Sequence, residues 1–337
     1  MKTKTPTVNT PPRFFLQLLI AAALMAVIVP ITAVADNLYV SANQDGSIFE
    51  YTPAGIQSTF VSYPNTNLLP RGLAFDSNGN LFAAVTNFVS VSGSVNKFSP
   101  SGVQHTFGGA SGFLEGVAVD TTGNVFVVSN SIGGTIFKFT PSGTRSTFAS
   151  GLGGGFGLAF NSAGNLFAVD SVNQTVFEYT PGGTRTTFAG PAAFGNESPS
   201  GQLAFDSAGN LFVSTLTSDF TMGSILEFTP GGTESTFATD LRSPRGLAFD
   251  STGNLFVTEN LGGHTGDILE FTPGGIESVF ASGISNPQFL TFGPPRPPAG
   301  PNLPDSGSTF AILAIALVAV ESARRRFSAT TRPLLRA

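Results

Sequence analysis

Apolar and polar positions alternate along most of this chain, and the alternation is contained in two phrases that recur in a fixed order. The first phrase, Gly-Leu-Ala-Phe-Asp followed by Asn-Leu-Phe-Val, has period two on both sides of a short polar turn. This pattern predicts two antiparallel strands joined by a hairpin. The second phrase, Glu-Phe-Thr-Pro-Gly-Gly followed by Thr-Glu-Ser-Thr-Phe, predicts a third strand, a Pro-Gly turn and a polar fourth strand.

Both phrases repeat at a nearly constant spacing. The Asn that begins Asn-Leu-Phe recurs after 44, 41, 45 and 44 residues. The second phrase occurs six times, and the sixth copy of the first phrase is divided between the segments at Asn37 and at 288–293. A unit that is started at one end of the array and completed at the other closes a ring. The pattern therefore predicts an all-β fold, a six-bladed β-propeller of four-stranded blades over residues 36–293, closed by a C-terminal strand that completes the N-terminal blade.

The repeat resembles NHL-type propellers and the wider six-bladed group that contains the gluconolactonase/senescence-marker-protein family and virginiamycin B lyase. The Gly-Leu-Ala-Phe-Asp-Ser-x-Gly-Asn-Leu-Phe-Val units and the segment 169–183 carry this resemblance, which spans about residues 37–293. It implies the fold, whereas function must be argued from a site, because propellers host unrelated activities. A gluconolactonase-like relative implies a divalent metal held by a Glu, an Asp and Asn residues where strands begin, and of these the chain offers only Glu115.

The N-terminal end differs in composition from the repeats. Basic residues, Lys2, Lys4 and Arg13, precede a long apolar run and the small-x-small sequence Ala33-Val34-Ala35. Residues 1–35 are therefore predicted to be a signal peptide that is removed on export.

The C-terminal end resembles the sorting signals that exosortases read, in the subtype with a Val-Pro-Asp-Ser-Gly motif. A Pro-rich linker (294–302) leads to a segment with the motif, a short transmembrane stretch and an Arg cluster (303–326), and then to a cytoplasmic tail before processing (327–337). The motif residues are Pro304, Asp305, Ser306 and Gly307. The resemblance implies export machinery and an exosortase-like enzyme as partners. It also implies transient membrane anchoring, and a final location at the cell surface or in the extracellular matrix of a Gram-negative-type bacterium.

Charge and cysteine content exclude several classes of function. Residues 36–303 contain eight Lys and Arg against nineteen Asp and Glu, a balance that disfavours nucleic acid as a partner. The chain has no Cys, which excludes disulfides and thiolate metal sites. With 33 Phe available for a core, we expect a stable, monomeric body.

Strand order predicts where a binding site lies. Residues just before Gly-Leu-Ala-Phe and just after Asn-Leu-Phe-Val should gather on one face of the ring, around its central channel. The polar residues of this candidate channel-mouth site are Arg71, Glu115, Asn130, Asp170, Arg245, Glu259, Asn260 and Gln288. They could orient a small polar or sugar-like ligand, or hold calcium or magnesium through Glu115, Asp170 and Glu259. Alternatively, these groups satisfy one another as buried polar groups do.

Catalytic signals are sparse. His264, on a Gly-rich loop of the same face, is the histidine placed for acid–base catalysis of the lyase type, and its alternative interpretation is a simply exposed loop residue. Nucleophile-elbow, zinc-protease and phosphate-loop motifs are absent from the sequence. The leading hypothesis is an exported, non-catalytic module that binds carbohydrate or a surface protein. The alternatives are a metal-dependent gluconolactonase-like hydrolase or virginiamycin B lyase-like enzyme, and a structural matrix protein.

Overall fold

The computed structural model describes residues 35–63, 67–131, 133–262 and 264–295. The predicted signal peptide, Pro-rich linker, sorting motif, transmembrane segment and tail lie outside these residues, apart from residues 35, 294 and 295. Those assignments stay predictions. Within the described ranges, no helix has the length and apolar character needed to cross a membrane.

The described residues form 24 strands in six four-stranded sheets. Blade 1 contains β1 (Asn37–Ala42), β2 (Ser47–Tyr51) and β3 (Gln57–Ser62). Blade 2 contains β4 (Leu68–Phe75), β5 (Leu81–Asn87), β6 (Ser92–Phe98) and β7 (Gln104–Ser111). Blade 3 contains β8 (Leu114–Val119), β9 (Val125–Ser129), β10 (Gly134–Phe139) and β11 (Arg145–Leu152).

Blade 4 contains β12 (Gly155–Phe160), β13 (Leu166–Asp170), β14 (Thr175–Tyr179) and β15 (Arg185–Ala189). A short 3-10 helix, Pro191–Ala193, leads to blade 5, which contains β16 (Glu197–Phe205), β17 (Leu211–Thr217), β18 (Met222–Phe228) and β19 (Glu234–Arg242). Blade 6 contains β20 (Leu247–Phe249), β21 (Leu255–Gly262), β22 (Thr265–Phe271) and β23 (Glu277–Ser285). The last strand, β24 (Pro287–Gly293), returns to blade 1.

The ring closes as the split repeat predicts. β24 pairs antiparallel with β1, so that Leu290 lies opposite Val40 and Phe292 opposite Leu38. The innermost strand of each blade, which we call its inner strand, contacts the inner strands of both neighbouring blades, in the order β24, β4, β8, β12, β16, β20 and back to β24. The predicted six-bladed, four-stranded propeller with a C-terminal closing strand is confirmed.

The hairpins between first and second strands explain the repeated Asp-Ser-x-Gly-Asn turn. Gly253 adopts a φ of 91°, in the left-handed region that glycine enters without steric cost. Asp250 Oδ1 accepts hydrogen bonds from the backbone N–H groups of Thr252 (2.9 Å) and Asn254 (2.8 Å). The repeated Asp therefore caps its own turn, as predicted.

Phenylalanines join each blade to the next. The ring of Phe126 in β9 packs edge-on against Phe148 of its own blade and Phe160 of the following blade, with centroids 5.0 and 5.1 Å apart. Equivalent triads are Phe167–Phe188–Phe205, Phe212–Phe237–Phe249 and Phe256–Phe280–Phe292. Such aromatic pairs contribute about 0.5–1.5 kcal/mol beyond the area they bury. The Phe of each Asn-Leu-Phe phrase is thus a contact between blades.

Near the ring axis the inner strands approach each other backbone to backbone. The pairing of β12 with β13 shifts register between Gly155 and Leu158, and matching shifts occur in β4 and β8. These irregularities release residues from the ladder and re-aim their side chains. At Gly157 an added Cβ would lie 2.5 Å from the carbonyl oxygen of Gly201 in the next inner strand. Glycine is required here by close approach of two backbones.

Candidate functional site

The antiparallel order of the strands sorts the loops between two faces. All inner strands begin at one face, which we call the upper face, and it also receives the loops from second to third strands. The opposite, lower face carries the Asp-Ser-x-Gly-Asn turns. One detail of the sequence interpretation is corrected, because Asp170, Glu259 and Asn260 lie within second strands rather than after them. In blade 6 the pairing of β21 with β22 continues past Glu259, which faces Asp267.

Four of the eight predicted site residues come together on the upper side. Arg71 Nη1 donates to Gln288 Oε1 at 3.1 Å and lies 3.7 Å from Glu115 Oε2. Arg245 interacts electrostatically with both Arg71 and Glu115. These four residues come from blades 2, 3, 6 and 1, and we call them the arginine cluster. Asn43 extends it: with its amide nitrogen donating to the Pro70 carbonyl, its oxygen accepts from Arg71 Nη1 at 3.1 Å.

The arginine cluster carries an excess of positive charge. Glu115 is 5 % exposed, and burial raises the pKa of its carboxyl while Arg71 and Arg245 lower it. Burial lowers the pKa of Arg245, Arg71 lowers it further, and Glu115 opposes both effects. Two guanidinium groups thus share one carboxylate in surroundings that disfavour isolated charge.

Three atoms of the arginine cluster are buried without a hydrogen-bond partner. They are Nε of Arg71, Nε of Arg245 and Oε2 of Glu115. The 3.7 Å between Arg71 Nη1 and Glu115 Oε2 is an ion pair but exceeds hydrogen-bond length. Because buried polar atoms in native proteins are almost always paired, three unpaired atoms in one cluster are unusual. The predicted polar residues therefore satisfy one another's hydrogen-bonding groups only in part.

Asp170 has a different role from the one considered for it. It is fully buried, and its Oδ2 accepts from the Gly153 N–H (2.9 Å) and from Asn173 Nδ2 (2.8 Å). Its Oδ1 accepts from the backbone N–H groups of Gly154 and Asn173, each at 3.2 Å. Four donors occupy both oxygens, so Asp170 fastens the segment that leads into β12.

Glu259 and Asn260 likewise hold segments that lead into inner strands. Glu259 Oε1 accepts from the backbone N–H of Arg242 at 2.6 Å. Burial raises the pKa of Glu259, that hydrogen bond lowers it, and the nearby charges of Glu277 and Asp267 raise it again. Asn260 Nδ2 donates to the Pro287 carbonyl at 3.2 Å.

Asn130, the last of the eight predicted residues, and the catalytic candidate His264 do not join the arginine cluster through any described contact. Asn130 is half-buried, and its backbone N–H donates to the Phe113 carbonyl at 2.7 Å. His264 is exposed on the β21–β22 loop with a φ of 73°.

The divalent-metal site considered for Glu115, Asp170 and Glu259 does not fit these contacts. Asp170 and Glu259 bind backbone groups of separate segments, and Glu115 faces two arginines whose charge opposes a cation. Among the residues that the structure describes, no three His, Cys, Asp or Glu side chains are grouped to hold a metal. We therefore derive no chemistry from calcium or magnesium at Glu115, Asp170 and Glu259.

Large apolar side chains are exposed around the upper face, in a feature that sequence reasoning missed. We call this set the apolar collar, and it consists of Phe88, Val89, Val91, Val172, Phe220 and Leu261. All lie in or beside loops from second to third strands, in blades 2, 4, 5 and 6. The Arg71 guanidinium lies 5.5 Å from the centre of the Phe88 ring, which links the apolar collar to the arginine cluster. The available signal was the occurrence of Phe and Val in loops that are otherwise polar.

Backbone strain is concentrated at the same face. Among the described residues, the non-glycine positions with positive φ include Val91 (48°), Gln174 (46°), Phe220 (59°) and His264 (73°), all in loops from second to third strands. The remaining three, Asp240, Ser243 and Asn286, lie in or near the segments that enter inner strands. Such strain costs about 1–3 kcal/mol per residue and collects at functional sites.

Gln202 is a second residue that the sequence interpretation missed. Its Nε2 donates to the Leu290 carbonyl at 3.0 Å, while its Oε1 accepts from the N–H groups of Leu290 (3.3 Å) and Leu247 (3.2 Å). It joins blades 5, 6 and 1 near the axis. Four other repeats have glycine at the position equivalent to Gln202. The only signal in the sequence was therefore the presence of a glutamine where those repeats have glycine.

Clefts are present elsewhere on the molecule. One of about 350 Å³ lies between blades 5 and 6 on the lower face, beside Asp206, Phe249 and Asp250. Another of about 190 Å³ lies between blades 2 and 3, beside Asp76 and Lys97. The aspartates beside these clefts cap the repeated turns, so the clefts are grooves between blades rather than built sites.

Comparison with known proteins supports the fold only. No protein-family model and no curated protein matches the chain. A catalytically inactive virginiamycin B lyase from Staphylococcus aureus with quinupristin is 13% identical, with 78% of this chain and 94% of that chain covered and a TM-score of 0.53. A gluconolactonase from Xanthomonas campestris is 17% identical, with coverages of 67% and 83% and a TM-score of 0.52. A Bacteroides caccae protein of unknown function is 13% identical, with coverages of 77% and 99% and a TM-score of 0.56.

The expected resemblance to gluconolactonase-like and virginiamycin B lyase-like propellers is confirmed as a resemblance of fold. Identities this low carry no residue roles from those enzymes to this chain.

Proposed function

We propose that this chain is an exported, non-catalytic β-propeller that binds a carbohydrate or protein partner at the cell surface through its upper face. One observation carries the proposal: a buried, positively charged cluster with three unpaired polar atoms lies beside a collar of exposed apolar side chains. Binding sites combine a few convergent polar groups with aromatic and apolar walls in this way. Export rests on the composition of the chain ends.

The course of the chain is consistent with an upper face that points outward. Inner strands run from the upper to the lower face, so β24 delivers Gly293 to the lower face. There the Pro294 carbonyl accepts from the Tyr39 hydroxyl at 2.9 Å. β1 also begins at the lower face, at Asn37. A C-terminal anchor joined there would leave the arginine cluster and the apolar collar directed away from the surface that holds it.

The contacts of the acidic residues favour binding over catalysis. A carboxylate that acts as a general base needs a free oxygen near its substrate. Asp170 uses both oxygens and Glu259 uses Oε1 to hold backbone segments, while Oε2 of Glu115, which accepts no hydrogen bond, is enclosed and forms an ion pair with Arg71. The hydrolase and lyase alternative retains only the support of the shared fold.

A retention assay tests the proposal. We expect the mature protein to bind isolated cell-surface material or matrix polysaccharide, and we expect the double variant Phe88→Ser/Phe220→Ser to lose that binding. The matched control is Ile56→Ser/Ile276→Ser, because these side chains are 67 % and 70 % exposed on lower-face turns. Equal retention of both variants would contradict an upper-face site and favour a structural matrix protein. Turnover of a lactone or streptogramin by the wild type would favour the enzyme alternative.

A further inference from the structure

We propose that the arginine cluster is the carboxylate subsite for a uronate-bearing glycan, with the guanidinium groups of Arg71 and Arg245 binding the carboxylate of an acidic sugar. The inference rests on the proposed function, because it names the ligand class of the same face. Three properties of the arginine cluster support it: its charge, its unused hydrogen-bonding capacity and the nature of the neighbouring wall.

The charge of the arginine cluster calls for an anion. The buried Glu115 carboxylate forms its ion pair with Arg71 at 3.7 Å, so Arg245 is left without an ion-pair partner among the described residues. Asp170 and Glu259, the other buried acids of the upper side, hold backbone N–H groups of the segments that lead into inner strands. A ligand carboxylate supplies the missing charge and forms charge-assisted hydrogen bonds with guanidinium groups.

The unpaired atoms distinguish a sugar acid from a simple anion. Nε of Arg71 and Nε of Arg245 are donors, and both suit a carboxylate oxygen. Oε2 of Glu115 is an acceptor and needs a donor, which a sugar hydroxyl provides. Sulfate has no donor for Glu115, and a neutral sugar leaves the excess positive charge in place. A ligand with a hydroxyl beside a carboxylate carries the kinds of group that all three atoms lack.

The wall next to Arg71 suits a pyranose ring. Phe88 packs beneath the Arg71 guanidinium and lies 5.0 Å from the ring of Phe113, so its orientation is fixed from two sides. The C–H face of a sugar packs well on such an aromatic ring, while its polar edge reaches the cluster. Gln288 acts as a positioning residue, because its Oε1 holds Arg71 while its Nε2 donates to Asn286 Oδ1 at 2.9 Å.

Calorimetric titration of the mature protein with D-glucuronate tests the inference, with D-glucose and sodium sulfate as comparison probes. We expect glucuronate to bind more tightly than either. Arg245→Gln should weaken glucuronate binding by about tenfold or more, because it removes a charged hydrogen bond. The matched control, Arg242→Gln, changes an exposed arginine that precedes the same inner strand and should bind as wild type. Circular dichroism verifies folding, and Arg71→Gln replaces Arg245→Gln if that variant does not fold.

Three results would overturn the inference: no binding of glucuronate, equal binding of glucose or sulfate, or undiminished binding by Arg245→Gln. The proposed function is tested separately by the Phe88→Ser/Phe220→Ser variant. Retention that depends on this pair, with no binding of glucuronate, rejects the carboxylate subsite and keeps the upper-face binding function. Binding of glucuronate without such retention keeps the carboxylate subsite and rejects attachment to the cell surface through the upper face.

Discussion

Replacing Gly157 by Ala tests how the propeller is assembled at its axis. The added Cβ would lie 2.5 Å from the Gly201 carbonyl oxygen and 3.0 Å from both Gln202 Cα and the Leu203 nitrogen. All three are backbone atoms of the next inner strand, so no side chain can rotate away. Ordinary contact begins at 3.4 Å, and blades 4 and 5 would have to separate by about 0.9 Å at this point.

Overpacking of this kind costs about 1–3 kcal/mol. For a chain of this size each kcal/mol lowers the melting temperature by about 2–4 °C, so we expect Gly157→Ala to melt roughly 2–12 °C below wild type. Scanning calorimetry measures this difference.

Gly109→Ala provides the matched control for Gly157→Ala. Gly109 lies in the outer strand β7, and its added Cβ would meet only a carbonyl oxygen 3.9 Å away. We expect no loss of stability there. If Gly157→Ala melts at the same temperature as wild type, close backbone packing between inner strands is refuted. If both variants lose the same number of degrees, the effect comes from glycine replacement in general.

Three further predictions concern the acidic residues. Asp170→Ala should lower the melting temperature more than Gly157→Ala, because four donors lose their acceptor. Each donor costs about 1–3 kcal/mol if it is left buried and unpaired. A small decrease in melting temperature would contradict the anchoring role of Asp170. Glu259→Gln should raise the melting temperature at pH 7, and the gain should shrink toward pH 4. Burial raises the pKa of Glu259, so the folded state favours its neutral form and the wild type gains stability as the pH falls toward the unfolded-state pKa of about 4.3; a gain independent of pH would contradict this. Calcium or magnesium should leave the melting temperature unchanged, whereas a specific ion at 100 times its dissociation constant adds about 2.7 kcal/mol.

The fold was predictable because its determinants are local and repeated. Each hairpin turn contains its own Asp or Asn cap and its own glycine, as at Asp250 and Gly253, and both are visible in sequence. The phenylalanines recur with the repeat because each contacts the adjacent blade, as Phe126 contacts Phe160. The split copy at Asn37 indicated the closure of the ring.

The site was predictable only in part, because strand order places residues at a face without deciding their partners. Arg71 does meet Glu115, since the register shifts in β4 and β8 release both side chains from their ladders. Arg245 lies just before β20 and interacts electrostatically with both. Asp170 and Glu259 instead bind backbone N–H groups whose positions depend on loop conformation. The apolar collar escaped prediction because its loops differ between repeats, and periodicity carries no information there.

Oxidative footprinting of the mature protein, with and without isolated cell-surface material, tests binding through the upper face most directly. Hydroxyl radicals label exposed apolar side chains, and the two faces carry comparable reporters: Phe88 and Phe220 above, Ile56 and Ile276 below. We expect the surface material to protect Phe88 and Phe220 while Ile56 and Ile276 keep their labelling. Protection of the lower pair alone would place binding on the opposite face and contradict an upper-face site.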